Sequence, residues 1–200
     1  MMIWDKFAPF YDFMETVYNG KCYKGIAEKI KEYVTEDDIV LECACGTGLL
    51  TVPMAQKCKR LIATDISVGM MRQAKKKVAN YSNTIIKTAN IVDLPLKDNA
   101  FDVVVAANVI HLLDEPEKAI SELKRVCKPK GKIILPVYIN KEKKNSILAA
   151  KLLSIIGIKF MRQFSLSSYQ EFIASNNITQ VTYSVVDGRM PCAFAIITND

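Results

Sequence analysis

Apolar positions along the chain fall into two alternating rhythms. Short unbroken apolar runs at 38–42 (DIVLE), 60–64 (RLIAT), 84–88 (TIIKT), 102–107 (DVVVAA) and 132–138 (KIILPVY) have the length and continuity of buried strands. Between them the apolar residues recur every three or four positions. Residues 5–18 set Phe7, Phe10, Tyr11, Met14 and Tyr18 at helical spacing, with Pro9 in a first turn, and 23–34 set Ile26, Ala27, Ile30 and Val34 on one stripe. These predict two amino-terminal helices. A crossover helix is expected in GLLTVPMAQK, with Pro53 early in it, and Ser67 is expected to cap a helix to Asn80. Asp114 and Glu117 have the spacing of a capping box for a helix ending near Cys127, stopped by Pro129 and Gly131. Pro136 predicts that pairing ends or bulges within the fifth strand. A helix over 167–176 and a two-strand hairpin around Asp187-Gly188 close the chain.

Strand alternating with helix gives an α/β domain, and one stretch gives it a task. Val40–Leu50 reads VLECACGTGLL, and Asp65 follows Gly46 by roughly 20 positions at the end of the next apolar run. Gly46 and Gly48 let the backbone turn under a ligand, and an aspartate there can accept hydrogen bonds from both ribose hydroxyls. A bound adenosine is the expectation.

At these residues the chain resembles class I S-adenosylmethionine (SAM)-dependent methyltransferases. VLECACGTG is similar to their first motif, and ATDIS with Met70-Met71, ANIVDLPLKDNAFDVVV and LKRVCKPKGKIIL follow in the family's order, covering roughly residues 5–140. Ala44 replaces the usual first glycine, and Asn90 stands where an aspartate is common. The resemblance implies a Rossmann-like three-layer α/β/α sandwich whose mostly parallel seven-stranded sheet carries an antiparallel C-terminal strand. It also implies one domain over 1–200, with cap helices in 1–35 and a substrate-covering helical insertion at 139–176. It implies SAM as cofactor, leaving S-adenosylhomocysteine. Glu42, Ala44, Cys45, Gly46 and Gly48 map to the methionine portion, Asp65 to the ribose, Ile66 and Met70 to the adenine face, Asn90 to the exocyclic amine, Ile91 to the ring, and Asn108 to the amino group. Tyr11 maps to a cover over the sulfonium. FAPFYD and DLPLKDNAFDVV look most like the ubiquinone and menaquinone branch, which implies a small, partly apolar acceptor.

For chemistry, His111 is the lone histidine, just past the fourth strand, where it could serve as a base or be structural. Tyr11 and Tyr138 compete as donors that orient the acceptor. No metal site is expected. A nicotinamide oxidoreductase is disfavoured because Thr51 occupies the third glycine position. A non-catalytic SAM-binding module that recognises RNA or a protein is the alternative.

Composition adds bounds. The 200 residues suit a single core, and the formal charge of +6 comes from lysines scattered over helix-like segments, so a nucleic-acid partner is disfavoured. Turn chemistry agrees, because Asn108-Val109-Ile110-His111 lacks the Asn/Asp-Pro-Pro-aromatic turn of members that methylate nucleic-acid amino groups. A small-molecule partner is expected, and a homodimer is allowed. Six cysteines without CxxC pairs read as reduced thiols, with Cys43 and Cys45 two apart on a strand. With no signal peptide and no transmembrane segment, since 145–161 is too short and too charged, the expected place is cytoplasmic.

Overall fold

A computed structural model describes residues 3–140 and 162–200. Helix α1 (Ile3–Glu32) leads to β1 (Ile39–Cys43), α2 (Thr51–Ala55), β2 (Arg60–Asp65), α3 (Val68–Lys77), β3 (Thr84–Thr88) and β4 (Phe101–Ala106). A 3-10 turn (Ile110–Leu112), α4 (Pro116–Val126), β5 (Cys127–Tyr138), α5 (Leu166–Ser175), β6 (Val181–Val186) and β7 (Cys192–Thr198) follow. The seven strands lie in the order β3-β2-β1-β4-β5-β7-β6. The first five are parallel, and β7 is antiparallel to both neighbours.

The central strands are mostly apolar because both faces are covered, with Glu42 in β1 and Asp102 in β4 as charged exceptions. In β4, Val104 and Ala106 face a core built with α4 and α5, while Val103 and Val105 face one built with α1 and α2. β7 divides the same way, Ala193, Ala195 and Ile197 against Cys192, Phe194 and Ile196. Each fully buried aliphatic side chain contributes about 1.5–3 kcal/mol, so a one-residue slip of register would exchange the two cores and is excluded.

The two expected amino-terminal helices are two arms of α1 joined at a kink, where Asn19 leaves helical geometry at φ −138°. Its amide donates to Met190 O at 2.8 Å and accepts from Met190 N at 3.3 Å, so the kink is held by the turn between β6 and β7. The second arm buries Cys22, Ile26 and Ile30 at i, i+4 spacing. Ser67 caps α3 as expected, accepting from Met70 N at 3.1 Å.

Several local expectations are corrected. The capping box is absent: Pro116 starts α4, its N-cap Glu115 makes no capping bond, and Glu117 pairs with Arg162 at 3.0 Å. That helix stops at Val126, and β5 begins at once at Cys127. The irregularity in β5 lies between Cys127 and Lys132, not at Pro136. Pairing with β7 runs through Pro136, whereas on the β4 side the regular ladder ends at Ile134 and Asn108 N donates to Pro136 O at 2.8 Å. Cys43 ends β1 in the larger core, but Cys45 has left the strand and packs with Ala63 and Ala74, so the two do not share a face. All six cysteines are free and buried. Of the 139–176 segment, α5 buries Tyr169, Phe172 and Ile173 on the sheet, with Tyr169 donating to Leu135 O at 2.7 Å. The apolar run 145–161 lies outside the described residues. No helix among those described is long and apolar enough to cross a membrane.

Candidate active site

The strand order reverses between β1 and β4, and beyond the carboxyl ends of such strands an open α/β sheet leaves a crevice. A cavity of about 190 Å³ occupies it. Each strand from β1 to β4 sends its following residues there: Ala44–Thr47 after β1, Asp65 and Ile66 from β2, Ala89–Ile91 after β3, and Ala107–Val109 after β4. The cover comes from α1 through Trp4, Tyr11 and Tyr23.

The turn after β1 is built from left-handed backbone. Ala44, Gly46 and Gly48 have φ of 54°, 56° and 86°. Ala44, which stands where a glycine is usual, takes the left-handed conformation despite its Cβ, at a cost of roughly 1–2 kcal/mol. Nothing lies within 4 Å of where a Cβ would stand on Gly46, so its surface faces open space. Gly48 has a different role from the ligand contact expected. It is outside the cavity lining, and a Cβ there would meet Ala74 Cα at 2.9 Å, so it allows the turn to lie against α3.

Asp65 ties this turn to the next strand. Its Oδ2 accepts from Gly46 N at 2.8 Å and its Oδ1 from Ser67 N at 2.8 Å, which leaves lone pairs on both oxygens for a ligand. Burial raises its pKa, against these backbone donors, which lower it. Glu42 is more enclosed, at 2% exposure, and burial pushes its carboxyl up to about 8. Thr51 Oγ1 donates to Glu42 Oε2 at 2.6 Å. Among the described residues, the lining includes these two carboxylates and no Lys, Arg or His.

Ile66, Met70 and Ile91 supply apolar walls, and Asn90 is beside them, its Oδ1 turned to Val92 N at 3.3 Å. The 90–99 loop is pinned from α4. Arg125 donates to Glu122, to Leu94 O, to Leu96 O and to Asp98, and Glu122 Oε2 accepts from Leu94 N. Asn108 has φ of 53°, and its Oδ1 accepts from Tyr138 N at 3.1 Å.

Of the expected site residues, Tyr11, Glu42, Ala44, Cys45, Gly46, Asp65, Ile66, Met70, Asn90, Ile91 and Asn108 meet in this one cavity. Two of the three candidates for chemistry do not. His111 is buried in the 3-10 turn, outside the lining, and burial lowers its pKa to about 4, which keeps it neutral. Tyr138 donates its hydroxyl to Glu15 on α1 and is likewise outside the lining. Sequence reasoning missed Trp4, Tyr23, Leu112 and Leu113, which also line the cavity. It also missed the carboxylates that clamp α1: Asp5 accepts from Ser67 and Gly69, and Asp12 meets both Thr47 and Lys77.

Parallel sheet, reversed order and glycine turn define a nucleotide-binding α/β domain of the kind found in methyltransferases. Comparison with known proteins makes this specific: residues 41–135 match the family described as a methyltransferase domain. A demethylmenaquinone methyltransferase from Symbiobacterium thermophilum is 34% identical over 140 residues, 66% of this chain and 56% of that protein. A ubiquinone/menaquinone biosynthesis C-methyltransferase from Rickettsia bellii is 34% identical over 116 residues, 54% of this chain and 47% of that one. The chain thus spans about half the length of these relatives. A SAM-dependent methyltransferase structure from Thermotoga maritima superposes with a TM-score of 0.77 at 20% identity, covering 99% of both chains.

Proposed function

We propose that the protein transfers a methyl group from SAM to a small, partly apolar acceptor. The observation that carries this reading is the convergence of the glycine turn, Asp65, Glu42 and the Asn90-Ile91 wall on one covered cavity. The residues fit the ligand. Gly46 leaves open the space a Cβ would fill, two carboxylates face the cavity for hydroxyl and ammonium groups, and the Ile66, Met70 and Ile91 side chains suit a flat ring. When bound, SAM supplies an electrophilic methyl on a sulfonium.

Asp65 would hold the ribose, Glu42 and the turn backbone the amino-acid end, and Asn90 and Ile91 the adenine. Tyr11 and Trp4 exclude water and offer aromatic faces toward positive charge. Holding donor and acceptor in line can supply about 7–11 kcal/mol of the barrier, so a base is not required where the acceptor is already nucleophilic. The neutral, buried His111 is then a structural residue of the turn. Val109, Leu112 and Leu113 give the rest of the described wall an apolar character, which suits a partly apolar acceptor.

Calorimetry with SAM and with S-adenosylhomocysteine tests the cofactor. Binding of both, lost by at least about tenfold in Asp65→Ala, is expected, since a charge-assisted hydrogen bond contributes about 1.5–3 kcal/mol. Methyl incorporation into a panel of quinols, phenols, thiols and amines tests the acceptor. Tight binding with no turnover on any of them, together with salt-sensitive RNA binding, would instead identify a non-catalytic module.

A further inference from the structure

The outward face of the first arm of α1 takes no part in the cavity or the cores. Phe10, Phe13 and Val17 are 64%, 71% and 66% exposed, and Met14 and Tyr18 join them. Positions 10, 13, 14, 17 and 18 form one stripe on a helix. Scattered exposed apolar residues are ordinary, but a continuous stripe is not.

Charge is segregated around it. A solvated helix would carry acids on this face, yet all three carboxylates of the arm point the other way. Asp5 accepts from Ser67 and Gly69, Asp12 meets Thr47 and Lys77, and Glu15 accepts from Tyr138. Lys6 lies one turn before Phe10 and Lys21 just past the kink at Asn19, both exposed. The Arg189 guanidinium sits 5.0 Å from the centre of the Tyr18 ring, with exposed Asp187 as the nearby acid in that turn. An apolar stripe with a cation at each end and no outward carboxylate has the chemistry of a helix lying in a membrane interface.

We propose that the first arm of α1 docks the protein on an anionic lipid surface. Phe10, Phe13, Met14 and Val17 enter the acyl boundary, while Lys6, Lys21 and Arg189 meet headgroup phosphates. Because Trp4 and Tyr11 on the same helix line the cavity, docking sets its mouth within about one helix diameter, roughly 10–12 Å, of the lipid. The proposal does not depend on which acceptor is methylated, and its test needs no turnover.

Flotation of the full chain with vesicles of mixed phosphatidylglycerol and phosphatidylcholine, and with phosphatidylcholine alone, decides it. Strong partitioning to the anionic vesicles, weakened by salt, is expected. Phe13→Ser with Val17→Ser should lower partitioning by about tenfold or more per residue. Lys6→Gln with Lys21→Gln should lower it about fivefold per charge on anionic vesicles and leave phosphatidylcholine unaffected. Melting temperature checks the fold of each variant; if the apolar variant fails to fold, the exposed lysine pair decides alone. Absence of wild-type partitioning, or equal partitioning of the variants, overturns the proposal. So does a concentration-dependent dimer abolished by Phe13→Ser without vesicle binding, which would make the stripe a contact between copies.

Discussion

Thr51 donates its hydroxyl to Glu42 across the base of the glycine turn, at 2.6 Å and fully out of water. A third glycine at position 51 could make no such bond. Burial holds the Glu42 carboxyl at about 8, well above the ordinary value near 4.3.

This gives a pH dependence of definite sign. Between about 4.3 and about 8 the folded protein binds a proton at Glu42 that the unfolded chain has released, so this residue's contribution to stability falls as pH rises through that window. Glu42→Gln should flatten the decline, measured by denaturant titration at pH 6 and pH 8.5. A cationic ligand against the carboxylate should also expel the proton. Calorimetry of SAM binding at pH 7 in buffers of different ionisation enthalpy should show proton release that is absent in Glu42→Gln.

Gly48→Ala should fail for a steric reason. The added Cβ would stand 2.9 Å from Ala74 Cα and 3.0 Å from its Cβ, on a backbone already at φ +86°. With left-handed strain of about 1–2 kcal/mol plus overpacking of about 1–3 kcal/mol, a loss of roughly 2–5 kcal/mol is expected in chemical unfolding.

Ala44→Gly should do the reverse. Relief of the φ 54° conformation outweighs the extra freedom of glycine in the unfolded chain, so stability should rise by about 0.5–1 kcal/mol. An unchanged or lower unfolding midpoint would mean that the Ala44 methyl group contributes more by packing than its backbone costs.

Arg125→Ala removes the clamp beneath Leu94–Asp98 without touching the cavity. SAM affinity should drop several-fold through loss of order at Asn90 and Ile91, with faster amide exchange confined to that loop. Exchange that rises across the whole sheet would instead indicate a global defect.

The frame of the molecule could be read in advance because its signals are local and additive. Unbroken apolar runs mark β1 to β5, the Ser67 cap marks α3, and the spacing from Gly46 to Asp65 marks the crevice. What escaped reading depends on contacts remote in the chain. Nothing near Gly48 reveals that Ala74 lies over it. The spacing of Asp114 and Glu117 is a valid capping signal, but Pro116 between them starts the helix itself, leaving Glu117 for Arg162. The reach of Tyr138 to Glu15, 123 positions away, removes it from the cavity, and only the docked α1 shows this. Trp4 and Tyr23 were invisible as lining residues because a helix facing a ligand and one facing a core carry the same periodicity.

The kink at Asn19 divides α1 into arms of unequal attachment. The second is sealed by Cys22, Ile26 and Ile30 in the central packing, whereas the first is fastened mainly by polar pairs at Asp5, Asp12 and Glu15. Polar fastenings dissolve at lower free energy than buried apolar ones, so the stretch ahead of residue 19 can swing out as one piece while the sheet stays intact. Because Trp4 and Tyr11 line the cavity from that arm, its release would open the cavity without unfolding the sheet.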